Sequence, residues 1–201
     1  MPDRPEWHPP PLPEPPLDLA RWELPTRAIP LPLYQCYRRL RGPLNDNRRS
    51  TGRFNAPAGE FGVAYLSDRP EGAFAEKFLQ SSARDERGSS FITQATLDAH
   101  RLCAVDLGPD APRVPRVVDL TANGPLLIGA DGRLCASTDD PGLTQRWALA
   151  LWRHPTVPDG LAYPARHDAA GLSVALFDRA GSFLVDNPSP NLLHDPDQLM
   201  V

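Results

Sequence analysis

Apolar positions come in short runs separated by turn-forming residues, and the spacing inside each run assigns it to a strand or a helix. Leu33-Tyr34-Gln35-Cys36-Tyr37-Arg38 is a β-type run ending in a basic cluster, and Pro43 to Thr51 (PLNDNRRST) is turn-forming. Phe61 to Leu66 reads as a buried strand. Helical spacing follows: Asp68 suits an N-cap and Pro70 and Glu71 a first turn, with the helix running to about Gln80. On a helical wheel Phe74, Ala75, Phe78 and Leu79 span roughly 140°, and Glu76 lies about 60° past their edge, at the border of the buried face. Phe91 to Leu97 and Leu102 to Leu107 read as strands joined by a turn at Asp98 to Arg101. Val117 to Leu120 is a short apolar run, with a short helix near Pro125 to Ala130. Gly142 to His154 has the strongest helical stripe, Leu143, Trp147, Ala150 and Leu151, and Pro155 and Pro158 end it. Leu161 to Tyr163, Leu172 to Phe177 and Ser182 to Val185 close the domain as strands. Helices fall irregularly among short strands, a pattern of α+β rather than doubly wound architecture.

Residues 1–33 carry 11 of the 25 prolines, so this arm is expected to run extended or as polyproline II, with at most one short turn at Asp18 to Glu23. It reads either as a ligand for a proline-binding module or as a strap held over the domain by Trp7, Trp22 and its leucines. The organisation expected is therefore an arm at 1–33, a catalytic domain at 34–186 and a Pro/Asn-rich tail at 187–201.

With 201 residues, 41% hydrophobic and 23% charged, the chain suits one globular domain. A net charge of −4 argues against a reader of the nucleic-acid backbone, which needs a clustered basic face. Cys36, Cys103 and Cys135 are widely spaced without a CxxC pair, which reads as buried thiols in a reducing compartment. There is no 18-residue apolar run and no signal-peptide pattern, so neither membrane span nor export is expected, and the cytoplasm is the expected location.

Standard catalytic signatures are missing: no phosphate-binding glycine loop, no metal-ligand spacing among the five histidines and no GxSxG elbow. Gly171-Leu172-Ser173 is half of such an elbow, but its serine continues into a strand and reads as structural. Asp139 and Asp140, just before a proline, read as a helix cap rather than a cation site. What remains is Thr51 to Phe78 together with Tyr37-Arg38. Arginine's planar fork suits a pyrophosphate, and tyrosine offers a stacking face. A glutamate at a cleft edge can stabilise the oxocarbenium-like charge that develops as a bond to ribose breaks. The same residues could equally form a salt bridge and a core tyrosine.

Gly52 to Pro57 (GRFNAP), Phe61 to Asp68 (FGVAYLSD) and Ala73 to Phe78 (AFAEKF) resemble, in order and spacing, the core pattern of the RES domain family. Tyr37-Arg38 resembles that family's opening motif. Thr144 to Ala148, Asp159 to Pro164 and Val174 to Phe177 resemble its later helix and two closing strands, so the likeness covers residues 34–180. The resemblance implies an α+β, ADP-ribosyltransferase-like split β-sheet with flanking helices and an NAD-binding cleft. It also implies an NAD+-consuming toxin of a toxin–antitoxin pair. Arg38 and Arg53, with Tyr37, would hold the dinucleotide, Tyr65 would stack near nicotinamide, and Glu76 would stabilise the ribosyl cation. NAD+ would be substrate, with inorganic phosphate as a co-substrate and no permanent cofactor or metal, and a cognate antitoxin or a second copy would be the protein partner.

Two departures bear on that reading. Phe54 stands where the family usually has tryptophan, which keeps a ring. Ala165 follows Tyr163-Pro164 where relatives have serine, leaving Ser137, Thr138 and Thr144 as candidates for the serine's work. Three outcomes stay open: phosphorolysis or hydrolysis of NAD+, transfer of ADP-ribose to a protein, and a non-catalytic nucleotide-binding module of the same fold.

Overall fold

The computed structural model describes residues 10–41, 44, 48, 52–79, 92–136, 140–166, 168, 170–187, 191 and 193. In chain order they form β1 (Thr26–Ala28), β2 (Leu33–Arg38), β3 (Val63–Ser67), α1 (Pro70–Phe78), α2 (Gln94–Asp98), β4 (His100–Leu107), β5 (Arg116–Asp119), α3 (Gly124–Leu127), α4 (Arg133–Ala136), α5 (Pro141–Trp152), β6 (Gly160–Pro164), β7 (Leu172–Phe177) and β8 (Leu184–Asp186). Short 3-10 segments occur at Leu19–Arg21, Arg39–Arg41 and Asp178–Phe183. The expected α+β class holds. All eight strands join one open sheet in the order β1-β5-β6-β7-β3-β2-β4-β8, antiparallel except for the β5–β6 pair.

Side-chain parity sorts the core. In β3, Val63 and Tyr65 face one hydrophobic cluster, while Ala64 and Leu66 face another. In β2, Leu33 and Tyr37 join the second of these, whereas Tyr34 and Cys36 turn to a third, with Ala73 and Phe78 of α1. Tyr34 lies directly opposite Ser67, so the first and third clusters share one face of the sheet. Helix α5 covers the β5-β6-β7-β3 half of that face through Leu143, Trp147, Ala148 and Leu151, and α1 covers the β2-β4 half. The two halves meet at the Tyr34–Ser67 pair alone among the described residues, while β2 and β4 pair along all six residues of β2. A seam therefore runs down one face between α1 and α5.

Local chemistry explains the element ends. Asp140 caps α5 by accepting the Leu143 N–H at 3.0 Å, with Pro141 in the first turn. Trp147 and Leu151 are fully buried, each contributing about 1.5–3 kcal/mol of apolar burial. Ala148 rather than Ala150 completes the buried stripe.

Three expectations are corrected. Asp68 does not cap α1: its Oδ1 accepts the Leu172 N–H at 2.8 Å, and the residue before the helix is an extended Arg69 without a side-chain cap. The run at Phe91 to Leu97 is not a strand. Its described part holds a helical turn, because Thr93 Oγ1 accepts the Thr96 N–H and Gln94 bonds Asp98 four residues on. Ser182 and Phe183 belong to a 3-10 segment, and strand pairing begins only at Leu184. Gln80, Phe91, Trp7 and Thr51 lie outside the described residues.

The proline-rich arm wraps the sheet's edge. Leu19 and Leu24 are buried in the cluster under α5, β1 pairs with β5 along the rim, and Ile29 is buried on the opposite face. Cys103 and Cys135 are buried and Cys36 partly so, all three as free thiols, and burial pushes Cys36 and Cys135 up to about 12. No helix among the described residues is long and apolar enough to cross a membrane.

Candidate active site

The chain from Gly52 to Asn55 turns back on itself, with the Asn55 N–H bonded to the Gly52 carbonyl at 3.1 Å. This turn sits beside β3 and the start of α5. Thr144 Oγ1 reaches the Arg53 carbonyl at 2.8 Å and Gln145 Nε2 donates to the Gly52 carbonyl at 3.2 Å. The Arg53 guanidinium donates through Nη1 to the Cys135 carbonyl of α4 and lies 5.8 Å from the Phe54 ring centroid. One corner of the fork is thereby fixed in direction.

Tyr65 projects from β3 into the seam. Its hydroxyl accepts the Phe54 N–H at 3.0 Å and donates to Asn55 Oδ1 at 2.9 Å, which locks strand and turn together. Phe54 in turn packs edge-on against Tyr163 of β6, ring centroids 5.0 Å apart. The aromatic ring at position 54 is thus used for packing. Burial raises the Tyr65 phenol above its ordinary value; the Phe54 N–H and Arg53 oppose that shift and Glu76 adds to it. Tyr163 is raised well above its ordinary value by burial first, with Tyr65 and Glu76 adding and Arg53 opposing. Both hydroxyls therefore stay protonated at neutral pH, as donors rather than bases.

Glu76 of α1 is half-buried, and its charge raises both phenols while that of Arg53 lowers them. Tyr65 therefore lies within the electrostatic reach of both Arg53 and Glu76. Arg38, exposed at the end of β2, shares the face of Tyr34 and Cys36 and so belongs to the same side. Tyr37 does not join them. It points to the other face, where its hydroxyl donates to Asp186 at 3.2 Å. Thr144 lies beside the turn, with its hydroxyl within reach of two main-chain carbonyls, Arg53 at 2.8 Å and Pro141 at 3.0 Å. Ser137 and Thr138 lie outside the described residues. Ser173 is a buried strand residue paired between Ser67 and Tyr163.

Asn55, Tyr163 and the Cys135 carbonyl were not singled out from the sequence. Asn55 stands two residues after Arg53 in the GRFN run and was open to notice; a main-chain carbonyl carries no sequence signal at all. A cavity of about 210 Å³ exists on the opposite face, lined by Ala64, Leu176 and the Asp178–Ser182 region, away from these groups. Among the described residues no group of His, Cys, Asp and Glu is placed to hold a metal ion.

Tyr65→Phe should lower stability by about 1–3 kcal/mol, because one hydroxyl serves both the Phe54 N–H and the buried Asn55 side chain. Urea denaturation of the variant tests this, and an unchanged midpoint would mean that the bridge contributes nothing.

Residues 25–197 match the RES domain. The chain belongs to the RES domain family. Among solved structures it is similar to a chain of the M.tuberculosis MbcT-MbcA toxin-antitoxin complex, with 22% identity and a TM-score of 0.60 over 88% of this chain and 92% of that one. No curated protein matches it. The RES match begins inside the proline-rich segment, just ahead of β1, so the rim strand falls within the matched region.

Proposed function

We propose that this RES-family chain is an NAD+-consuming toxin that cleaves the nicotinamide–ribose bond and is held in check by a cognate antitoxin. The observation that carries the reading is that the Tyr65 phenol, locked by hydrogen bonds to the turn that carries Arg53, feels the charges of both Arg53 and Glu76. Similarity to a chain of a toxin–antitoxin complex supports the partner.

In the proposed reaction the N-glycosidic bond breaks and nicotinamide leaves with the bonding electrons, so the positive charge passes from the pyridinium to the ribose. Glu76 stabilises that oxocarbenium-like centre. Arg53, whose Nη1 is given to the Cys135 carbonyl, holds the pyrophosphate through the rest of its guanidinium, and Arg38 adds charge at the end of β2. Tyr65 stacks near nicotinamide. Water or inorganic phosphate then captures the ribosyl carbon and loses a proton, giving ADP-ribose or its 1-phosphate. Thr144, whose hydroxyl reaches the Arg53 carbonyl, is assigned to positioning rather than to the chemistry. Tyr37, bonded to Asp186 on the far face, takes no part in this proposal.

The test is release of nicotinamide from NAD+ by purified protein, run with and without phosphate. A phosphate-dependent rate identifies phosphorolysis and a phosphate-independent one hydrolysis; an adduct on a lysate protein identifies ADP-ribosyl transfer. Saturable NAD+ binding without any release would overturn the proposal in favour of a binding module, the reading to which Ala165 in place of serine lends weight.

A further inference from the structure

The proline-rich arm and the arginine turn both bond to α4 and α5. Toward the arm, Arg133 of α4 donates through Nη1 to the Pro10 carbonyl, and Trp147 Nε1 of α5 donates to the Pro13 carbonyl at 2.8 Å. Glu14 receives Arg146 of α5 in a two-pronged contact, Nε at 2.8 Å and Nη2 at 2.6 Å. Arg146 also lies 3.8 Å from Asp140, the residue that caps α5. Toward the turn, Cys135 of α4 accepts Arg53 Nη1, and Thr144 and Gln145 of α5 hold the Arg53 and Gly52 carbonyls. Each arm anchor therefore stands within two residues of a group that fixes the turn.

Helix α4 has only four residues, too few to set its own position or even to persist alone, so what it touches decides where the Cys135 carbonyl points. The first turn of α5 is set by its Asp140 cap and by Arg146, which Glu14 holds. The two-pronged guanidinium–carboxylate contact is the most directional ion pair available. Arg146 draws the Glu14 carboxyl below its ordinary value by hydrogen bonding, opposed by desolvation.

We infer that the N-terminal arm sets the aim of the Arg53 guanidinium, with Glu14 acting as a positioning residue through Arg146 and α5. The inference deepens the proposed function, in that it takes Arg53 as the group that holds the dinucleotide phosphates.

The test uses the full chain with Glu14→Gln and Glu14→Arg. Both sites are well exposed, 61% for Glu14 and 45% for Arg146, so the variants should fold and the effect should be modest and salt-sensitive. At low ionic strength Glu14→Arg is expected to raise KM for NAD+ about threefold to fivefold, with Glu14→Gln in between. The kcat should change much less, because a phosphate contact is made equally in ground and transition states. Amide exchange at Phe54, bonded to the Tyr65 hydroxyl, and at Asn55, bonded to the Gly52 carbonyl, should quicken by a similar factor. At about 0.5 M salt the wild type should converge on the variants. Unchanged exchange at Phe54 and Asn55 in Glu14→Arg overturns the inference, as does a fall in kcat with KM unmoved. Should the wild type release no nicotinamide, the functional proposal fails on its own, and the exchange measurement still decides whether the arm orders the turn.

Discussion

Glu76→Gln is expected to slow nicotinamide release by about 10²–10³-fold, the usual cost of removing one pre-organised electrostatic partner from a transition state. Glutamine keeps the size and shape of the side chain and removes only its charge. The packing of α1 rests on Ala73 and Phe78, which are buried 94% and 95%, so the helix should stay in place. Loss of the charge should also be felt by Tyr65 and Tyr163, whose hydroxyls Glu76 pushes toward the protonated form after burial has acted. Steady-state kinetics with a melting curve of the same sample makes the measurement. Turnover within threefold of wild type at an unchanged melting temperature would remove Glu76 from the chemistry.

The second large effect is expected at Gly52. A Cβ there would lie 2.3 Å from Asn55 Oδ1 and 2.7 Å from the Tyr65 hydroxyl, inside the hydrogen bond that joins turn to strand. Neither neighbour can yield cheaply, since Asn55 is fully buried and the Tyr65 hydroxyl also receives the Phe54 N–H. Gly52→Ala should therefore cost about 1–3 kcal/mol in stability, the usual range for overpacking. Displacing Arg53 and Tyr65 by even an ångström should cut the rate at least about tenfold, and about 100-fold is reasonable for misplaced groups. Gly132→Ala is the matched control, because nothing lies within 4 Å of its added carbon. That variant should stay within about 0.5 kcal/mol of wild type. Equal denaturation midpoints for the two variants would show that the Gly52 turn relaxes freely.

Much of the scaffold was legible because its signals are local. Strands β2 and β7 run over the residues their apolar spacing marks, and α5 lies between the Asp140 cap and the Pro155 stop. The failures were also local signals, overruled by distant partners. Asp68 is a good cap by type, yet the Leu172 main chain arriving from β7 takes its carboxylate. At Phe91 to Leu97, β-type residues suggested a strand, but Thr93 and the Gln94–Asp98 pair turn the chain into a helix. Motif order marks Arg53, Tyr65 and Glu76 as candidates, whereas Tyr37, next to Arg38 in the chain, faces the other side of β2.

Sequence alone determined which residue types could do the chemistry and, through caps, prolines and spacing, where most elements run. Tertiary structure decided which of those residues meet. Neighbouring residues on a strand face opposite sides, so Arg38 and Tyr37 part company once β2 enters the sheet, and only sheet order shows that the side kept by Arg38 is also that of Tyr65. The arm's hold on α4 and α5 likewise joins positions more than 120 residues apart, through main-chain carbonyls that no residue identity advertises.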